Sequence, residues 1–161
     1  MPRRTTPFIP DIYYHLYNRG NNRQAVFFDP DNYLYFLGGI KKYLIPVVHI
    51  VAYCLMPTHY HILVRIKQTS QTSEVLKTSE VLGREVSSQV SLAMQKFLIS
   101  YTKAINKRFE RVGSLFQGQF QAKPIQSYPH LLNLSVYIHA NPVKDGLVAL
   151  PEEWIYSNYL E

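Results

Sequence analysis

A chain of 161 residues that is 47% hydrophobic is long enough to bury a core in one domain and too apolar to be disordered as a whole. Seventeen Lys and Arg against eleven Asp and Glu leave a formal charge of +6, which makes a polyanion the natural partner without choosing between DNA, RNA and an anionic membrane. A single cysteine, Cys54, excludes an intramolecular disulfide; residues 1–10 hold no apolar signal core and no apolar run reaches membrane-spanning length, so the expectation is one cytoplasmic domain with no membrane partner.

Residues 11–17 (Asp-Ile-Tyr-Tyr-His-Leu-Tyr) read as a first strand. It stops at the turn-forming Asn18-Arg19-Gly20-Asn21-Asn22-Arg23, where Arg19 and Arg23 can hold phosphates or simply face water. Asp29 as N-cap and Pro30 at the first helical position open a helix, and Tyr33, Phe36, Leu37, Ile40 and Leu44 recur at helical spacing until Pro46 closes it. The continuous β-branched and aromatic run of residues 47–55 predicts a well-buried strand. Met56-Pro57-Thr58 is a tight connection to the second arm of a hairpin, residues 59–66.

In that second arm a period of two throws His59, His61, Leu63 and Arg65 to one face and Tyr60, Ile62, Val64 and Ile66 to the other. Two imidazoles side by side can hold a divalent cation, because each neutral ring offers one lone pair. They can equally be two hydrogen-bonded histidines at a sheet surface, and the spacing alone does not choose.

Residues 67–87 turn to Ser, Thr, Gln and Glu, with Thr72-Ser73-Glu74-Val75-Leu76-Lys77 echoed in Thr78-Ser79-Glu80-Val81-Leu82-Gly83, and read as a flexible insertion. Ser88 can cap a long helix to about Phe109, with Val90, Ala93, Phe97, Tyr101, Ala104 and Ile105 as its apolar stripe. Lys103 and Lys107 lie on its other face and Arg108 and Arg111 at its end, where cations suit the helix dipole as well as a phosphate. After Gly113, residues 115–125 alternate loosely as a fourth strand with Gly118 as a bulge. Ser127 caps a last helix that Asn141-Pro142 ends or nearly ends, and His130, Asn133, Tyr137 and Asn141 share one polar stripe along it. The tail, Trp154-Ile155-Tyr156-Ser157-Asn158-Tyr159, holds anchor residues and is expected to pack against the body.

The order strand, helix, strand, strand, helix, strand, with a further C-terminal helix, is an α+β ferredoxin-like plan with an antiparallel sheet. That plan hosts many functions and decides none.

Several segments in this order resemble the single-tyrosine HUH transposases, both the small insertion-sequence type and the REP-associated tyrosine transposases. They are Tyr13-Tyr14-His15-Leu16-Tyr17-Asn18-Arg19-Gly20, His59-Tyr60-His61 after Met56-Pro57, Asn106-Lys107-Arg108-Phe109 with Val112-Gly113, Phe116-Gln117-Gly118-Gln119-Phe120, and Tyr137-Ile138-His139-Ala140-Asn141-Pro142-Val143-Lys144-Asp145-Gly146. The resemblance covers nearly the whole chain. It implies His59 and His61 as metal ligands, Asn141 as the third ligand, Tyr137 as the nucleophile on DNA, and Mg2+ or Mn2+ as cofactor. It also implies cleavage and rejoining of single-stranded or hairpin DNA through a 5′-phosphotyrosine link, and a homodimer in some relatives. Tyr60 departs from the family, which more usually has an aliphatic residue between the histidines; facing the core, its hydroxyl would need a partner. Candidate phosphate contacts are Arg19, Arg23, Lys103, Lys107, Arg108, Arg111, Lys123 and Lys144. His130 is read as a structural or DNA-contacting residue and His139 as a packing or dimer residue, while His15 and His49 lie in expected strands without a role. The competing reading is a non-catalytic ferredoxin-like nucleic-acid-binding module, for which basic charge and aromatic residues suffice. Hydrolysis with water as nucleophile is a third, and it would survive Tyr137→Phe.

Overall fold

The computed structural model describes residues 6–68 and 79–161. Its elements are β1 (Tyr13–Arg19), α1 (Pro30–Gly39), β2 (Val48–Met56), β3 (His59–Ile66), α2 (Ser79–Arg108), β4 (Gln121–Ile125) and α3 (Tyr128–Lys144). The strands form one sheet in the order β2-β3-β1-β4, and every neighbouring pair is antiparallel. This is the expected ferredoxin-like core with an added helix.

Both faces of the sheet are covered, for reasons visible in the side-chain alternation. Tyr14 and Leu16 of β1 and Tyr60, Ile62, Val64 and Ile66 of β3 join Phe36 of α1 and Val90, Met94, Phe97 and Tyr101 of α2 in the main core. On the other face Ala52, Cys54, Met56, Leu63 and Ile125 meet Ile138 of α3. A register shift between Ile50 and Ala52 explains the continuous apolar run of β2. Before it Val48 and Ile50 face the main core; after it Tyr53 and Leu55 take that side, and Ala52 and Cys54 turn to α3.

Asp29 caps α1 as its sequence predicts. Its carboxylate accepts from the Asn32 backbone N–H at 3.0 Å, while the Asn32 side chain accepts from Asp29 and Phe28 N–H groups. After Gly39 the helix widens into one π turn, Ile40–Leu44, which buries Ile40 and Leu44.

Several boundaries differ from the sequence reading: β1 begins at Tyr13 and takes in Asn18 and Arg19, which the sequence assigned to the loop. α2 begins at Ser79 rather than Ser88, because Val86 and Val90, both buried, extend the apolar stripe backwards and the Ser87 hydroxyl accepts from the Phe8 N–H at 2.9 Å. The second part of the expected insertion is therefore helix, and residues 69–78, with the first copy of the echo, lie outside the described residues. β4 is limited to five residues. Before it Leu115 and Phe116 are buried, Phe116 bridges to Gly20, and Gly118 turns the chain at φ 71°. α3 runs through Pro142 to Lys144, since a proline in the last turn removes few hydrogen bonds.

The tail closes the free edge of β2. Leu55 donates to the Tyr156 carbonyl at 2.9 Å, the Trp154 indole donates to the Leu55 carbonyl at 3.0 Å, and Tyr156 stacks on Tyr33 with centroids 3.8 Å apart.

Candidate active site

β3 starts at the mouth of a cleft of about 720 Å³ between the sheet and α3, lined by Tyr17, Arg19, Arg23, His59, His61, Gln121 and Tyr137 among others. The strand alternation puts both histidines on this side. His61 lies opposite Tyr17 of β1 and diagonal to His15, whose Nε2 is 2.9 Å from His61 Nδ1, with the two rings stacked at 5.1 Å. The His59 Nδ1 is 3.0 Å from the Thr58 hydroxyl. The His59 and His61 rings stand 5.1 Å apart at 81°. Each Nδ1 thus has a protein partner, and Nε2 is the nitrogen each ring has left for the cleft.

α3 supplies the rest. Ile138 and Pro142 bury its inner side, which brings Asn141 down onto the sheet and leaves Tyr137 at the rim, 43% exposed. The Tyr137 ring meets His61 edge-on, with centroids 5.7 Å apart at 74°. One turn on, the buried Asn141 donates its amide to the Tyr137 carbonyl at 3.0 Å and lies near enough to His59 to oppose the lowering of its pKa. The Lys144 ammonium sits 5.6 Å from the Tyr137 ring centre.

Electrostatics keep the imidazoles uncharged. Burial, with smaller contributions from His15 and His59, pushes His61 down to about 3; burial, then Lys123 and His130, pushes His15 down to about 4. Burial also lowers His59, against the opposing pull of the Asp145 carboxylate. Neutral rings have the lone pairs that coordination requires.

The donor set fits a small divalent cation. Among the described residues no group of three or more His, Cys, Asp or Glu side chains is placed to hold a metal, so two imidazoles and the Asn141 amide oxygen are what this cleft offers. The His59 and His61 rings stand 5.1 Å apart and Asn141 is a neighbour of His59, so these three side chains would hold such a cation in the cleft.

This geometry accompanies clear likenesses to known proteins. No protein-family model matches the chain. Over 113 residues, 68% of this chain, it is 27% identical to a predicted REP-associated tyrosine transposase of Haemophilus influenzae, and the match spans 57% of that relative. The chain resembles the REP-associated tyrosine transposases. A solved REP-associated tyrosine transposase, bound to a REP hairpin, superimposes with a TM-score of 0.64 at 19% identity, covering 99% of this chain and 82% of that one, which shows a shared fold.

Of the residues singled out by the likeness to REP-associated tyrosine transposases, His59, His61, Asn141 and Tyr137 come together within one chain. Arg19 and Arg23 line the same cleft, and Lys123 stands at its edge, 5.6 Å from the Tyr17 ring centre. Lys103, Lys107, Arg108 and Arg111 belong to α2 and its exit and do not line it. Arg108 is held instead by Asp29 at 2.9 Å and Asp31 at 3.1 Å, and Arg111 donates to the Asn106 side chain. His139 donates to Asn158 and so fastens the tail. The sequence reading missed His15, Tyr17, Gln117 and Gln121. Alternation along β1 puts His15 and Tyr17 on one face, but only the β1–β3 register says that this face is the histidine face.

Proposed function

We propose that this chain cleaves and rejoins single-stranded or hairpin DNA, with Tyr137 as the attacking group and His59, His61 and Asn141 holding Mg2+ or Mn2+. The observation that carries this reading is the meeting of Tyr137 with His61 across an open cleft in a single chain, next to a buried amide that contacts both elements.

Arg19 and Arg23 meet the phosphates, lowering the repulsion between the anionic backbone and an incoming nucleophile. A bound divalent cation would draw charge from the non-bridging oxygens of the scissile phosphate. The Tyr137 oxygen, which loses its proton, forms a bond to phosphorus as the bond to the 3′ oxygen breaks. The 3′ oxygen takes up a proton and leaves as a hydroxyl, and the 5′ phosphate stays on the phenol. The ester energy is retained, so a 3′-hydroxyl can attack the phosphotyrosine and restore Tyr137. Water attack would discard it.

The test incubates the full chain with end-labelled single-stranded and hairpin DNA in Mn2+ and counts denaturation-resistant adducts. Wild type forms them, Tyr137→Phe forms none, and His59→Ala lowers the yield by about two orders of magnitude. DNA binding without any adduct would favour the binding module. Cleavage that persists in Tyr137→Phe would assign the reaction to water.

A further inference from the structure

We infer that His15, on β1, is a positioning residue: its Nε2 accepts a hydrogen bond from His61 Nδ1–H and thereby fixes His61 in the form whose Nε2 lone pair faces the cleft. The inference rests on the proposed metal role of His61 and concerns a residue that no part of that role includes.

Three observations carry it. The two ring nitrogens are 2.9 Å apart in a buried pair, so one of them must donate. The donor is decided by what the opposite nitrogen of His61 has to do. If His15 donated, a neutral His61 would carry its own proton on Nε2, aimed at the cleft, and could not coordinate there. If His61 donates from Nδ1, its Nε2 is bare. The second observation is orientation. The rings stack at 28° with centroids 5.1 Å apart, and Tyr17 lies 4.7 Å from His15, so His61 is held on its inner side by packing as well as by the bond. The third is the contrast with His59, whose Nδ1 meets the flexible Thr58 hydroxyl, a group able to donate or accept. His61 has a partner placed by the sheet register, diagonal across β1 and β3, and that partner cannot rotate away without leaving the stack. A ligand whose second nitrogen is held in this way keeps both its tautomer and its ring plane.

Two readouts test this, neither needing DNA cleavage. Long-range 1H–15N correlation spectra of the metal-free protein assign the tautomer of His61. The expected result is a proton on Nδ1 in wild type and in His15→Gln, whose amide oxygen replaces the acceptor, and a mixture of tautomers in His15→Leu. Titration with Mn2+ alone, followed by electron paramagnetic resonance, is expected to show affinity about 10–100-fold weaker in His15→Leu and restored in His15→Gln. Thermal melts identify any variant that has lost its fold, and for such a variant the wild-type tautomer decides. A wild-type His61 protonated on Nε2 overturns the inference. So does a folded His15→Leu that binds Mn2+ as tightly as wild type while His59→Ala does not, and that result leaves the metal site standing. If wild type and His59→Ala bind Mn2+ equally poorly, the metal reading itself falls and this inference with it.

Discussion

Tyr60 shows how one atom can run against its surroundings. Its ring is fully buried between Phe36 and Phe116, yet its hydroxyl has no hydrogen-bond partner among the described residues. The hydroxyl keeps its desolvation cost and gains nothing in return, so Tyr60→Phe is expected to leave the fold unchanged and raise stability by about 1 kcal/mol in denaturant titration. On the opposite face of the same strand, the imidazoles carry the pH dependence. His61 and His15, held near 3 and 4, stay neutral when folded, whereas in the unfolded chain each takes a proton near pH 6.5. Below that point the unfolded state binds more protons, so the stability these groups contribute is complete above about pH 6.5 and drains away as pH falls toward 4. Each steepens the loss by up to about 1.4 kcal/mol per pH unit, and in metal-free urea melts His15→Gln should show a shallower fall than wild type. Which face each histidine of β3 occupies was legible from alternation alone. That His15 sits against His61 was not, because the contact spans 46 positions and depends on a register that no local pattern states.

At the scale of elements, the apolar spacing and caps that define α1 were readable, while the start of α2 was not. Ser88 is a good cap by residue type, and only the burial of Val86 against the core decides for the longer helix. The packing of α1 on α2 was hidden for a similar reason. A Cβ on Gly39 would come within 2.3 Å of the Phe97 ring, so the glycine exists for close approach rather than for an unusual backbone angle. Gly39→Ala should cost about 1–3 kcal/mol by chemical denaturation, as overpacking does elsewhere, although alanine favours a helix. The contacts of two basic residues lead to different expectations. Arg108 ties the end of α2 to Asp29 and Asp31 at the start of α1, and Arg108→Ala should change DNA affinity little and stability by less than about 1 kcal/mol. Lys123, at the cleft, has no carboxylate partner among the ion pairs of the described residues. Lys123→Ala should reduce the slope of log affinity against log salt by about one, measured by fluorescence anisotropy with labelled single-stranded DNA.

The whole molecule assigns one sheet face to stability and part of the other to the cleft. α1 and α2 close the first around aromatic side chains; α3 covers β2 and reaches Ile125 on the second, leaving the Tyr17 end of β1 and the Gln121 end of β4 open beside Tyr137. The ferredoxin-like plan followed from the sequence because the alternation of elements admits few alternatives, but the seat of α3 did not, since its inner contacts come from distant parts of the chain. Asn158 in the tail shows what fixes that seat. Its side-chain oxygen accepts from the Tyr53 N–H at 2.7 Å and from His139 of α3 at 3.0 Å, and its amide donates to the Val51 carbonyl at 3.2 Å. One side chain therefore joins the edge of β2 to the helix that carries Tyr137 and Asn141. Asn158→Ala removes all three bonds and leaves the Tyr53 N–H to find another partner, at a cost of about 1–3 kcal/mol. If the tail sets the position of α3, the effect is directional. Amide hydrogen exchange should quicken in α3 and along the β2 edge while β1 and β3 keep their protection, and adduct formation should fall although no residue of the cleft has changed. Exchange that quickens evenly over the sheet would instead make Asn158 a general stabiliser, and the seat of α3 would then rest on the packing of Ile138 and Pro142 alone.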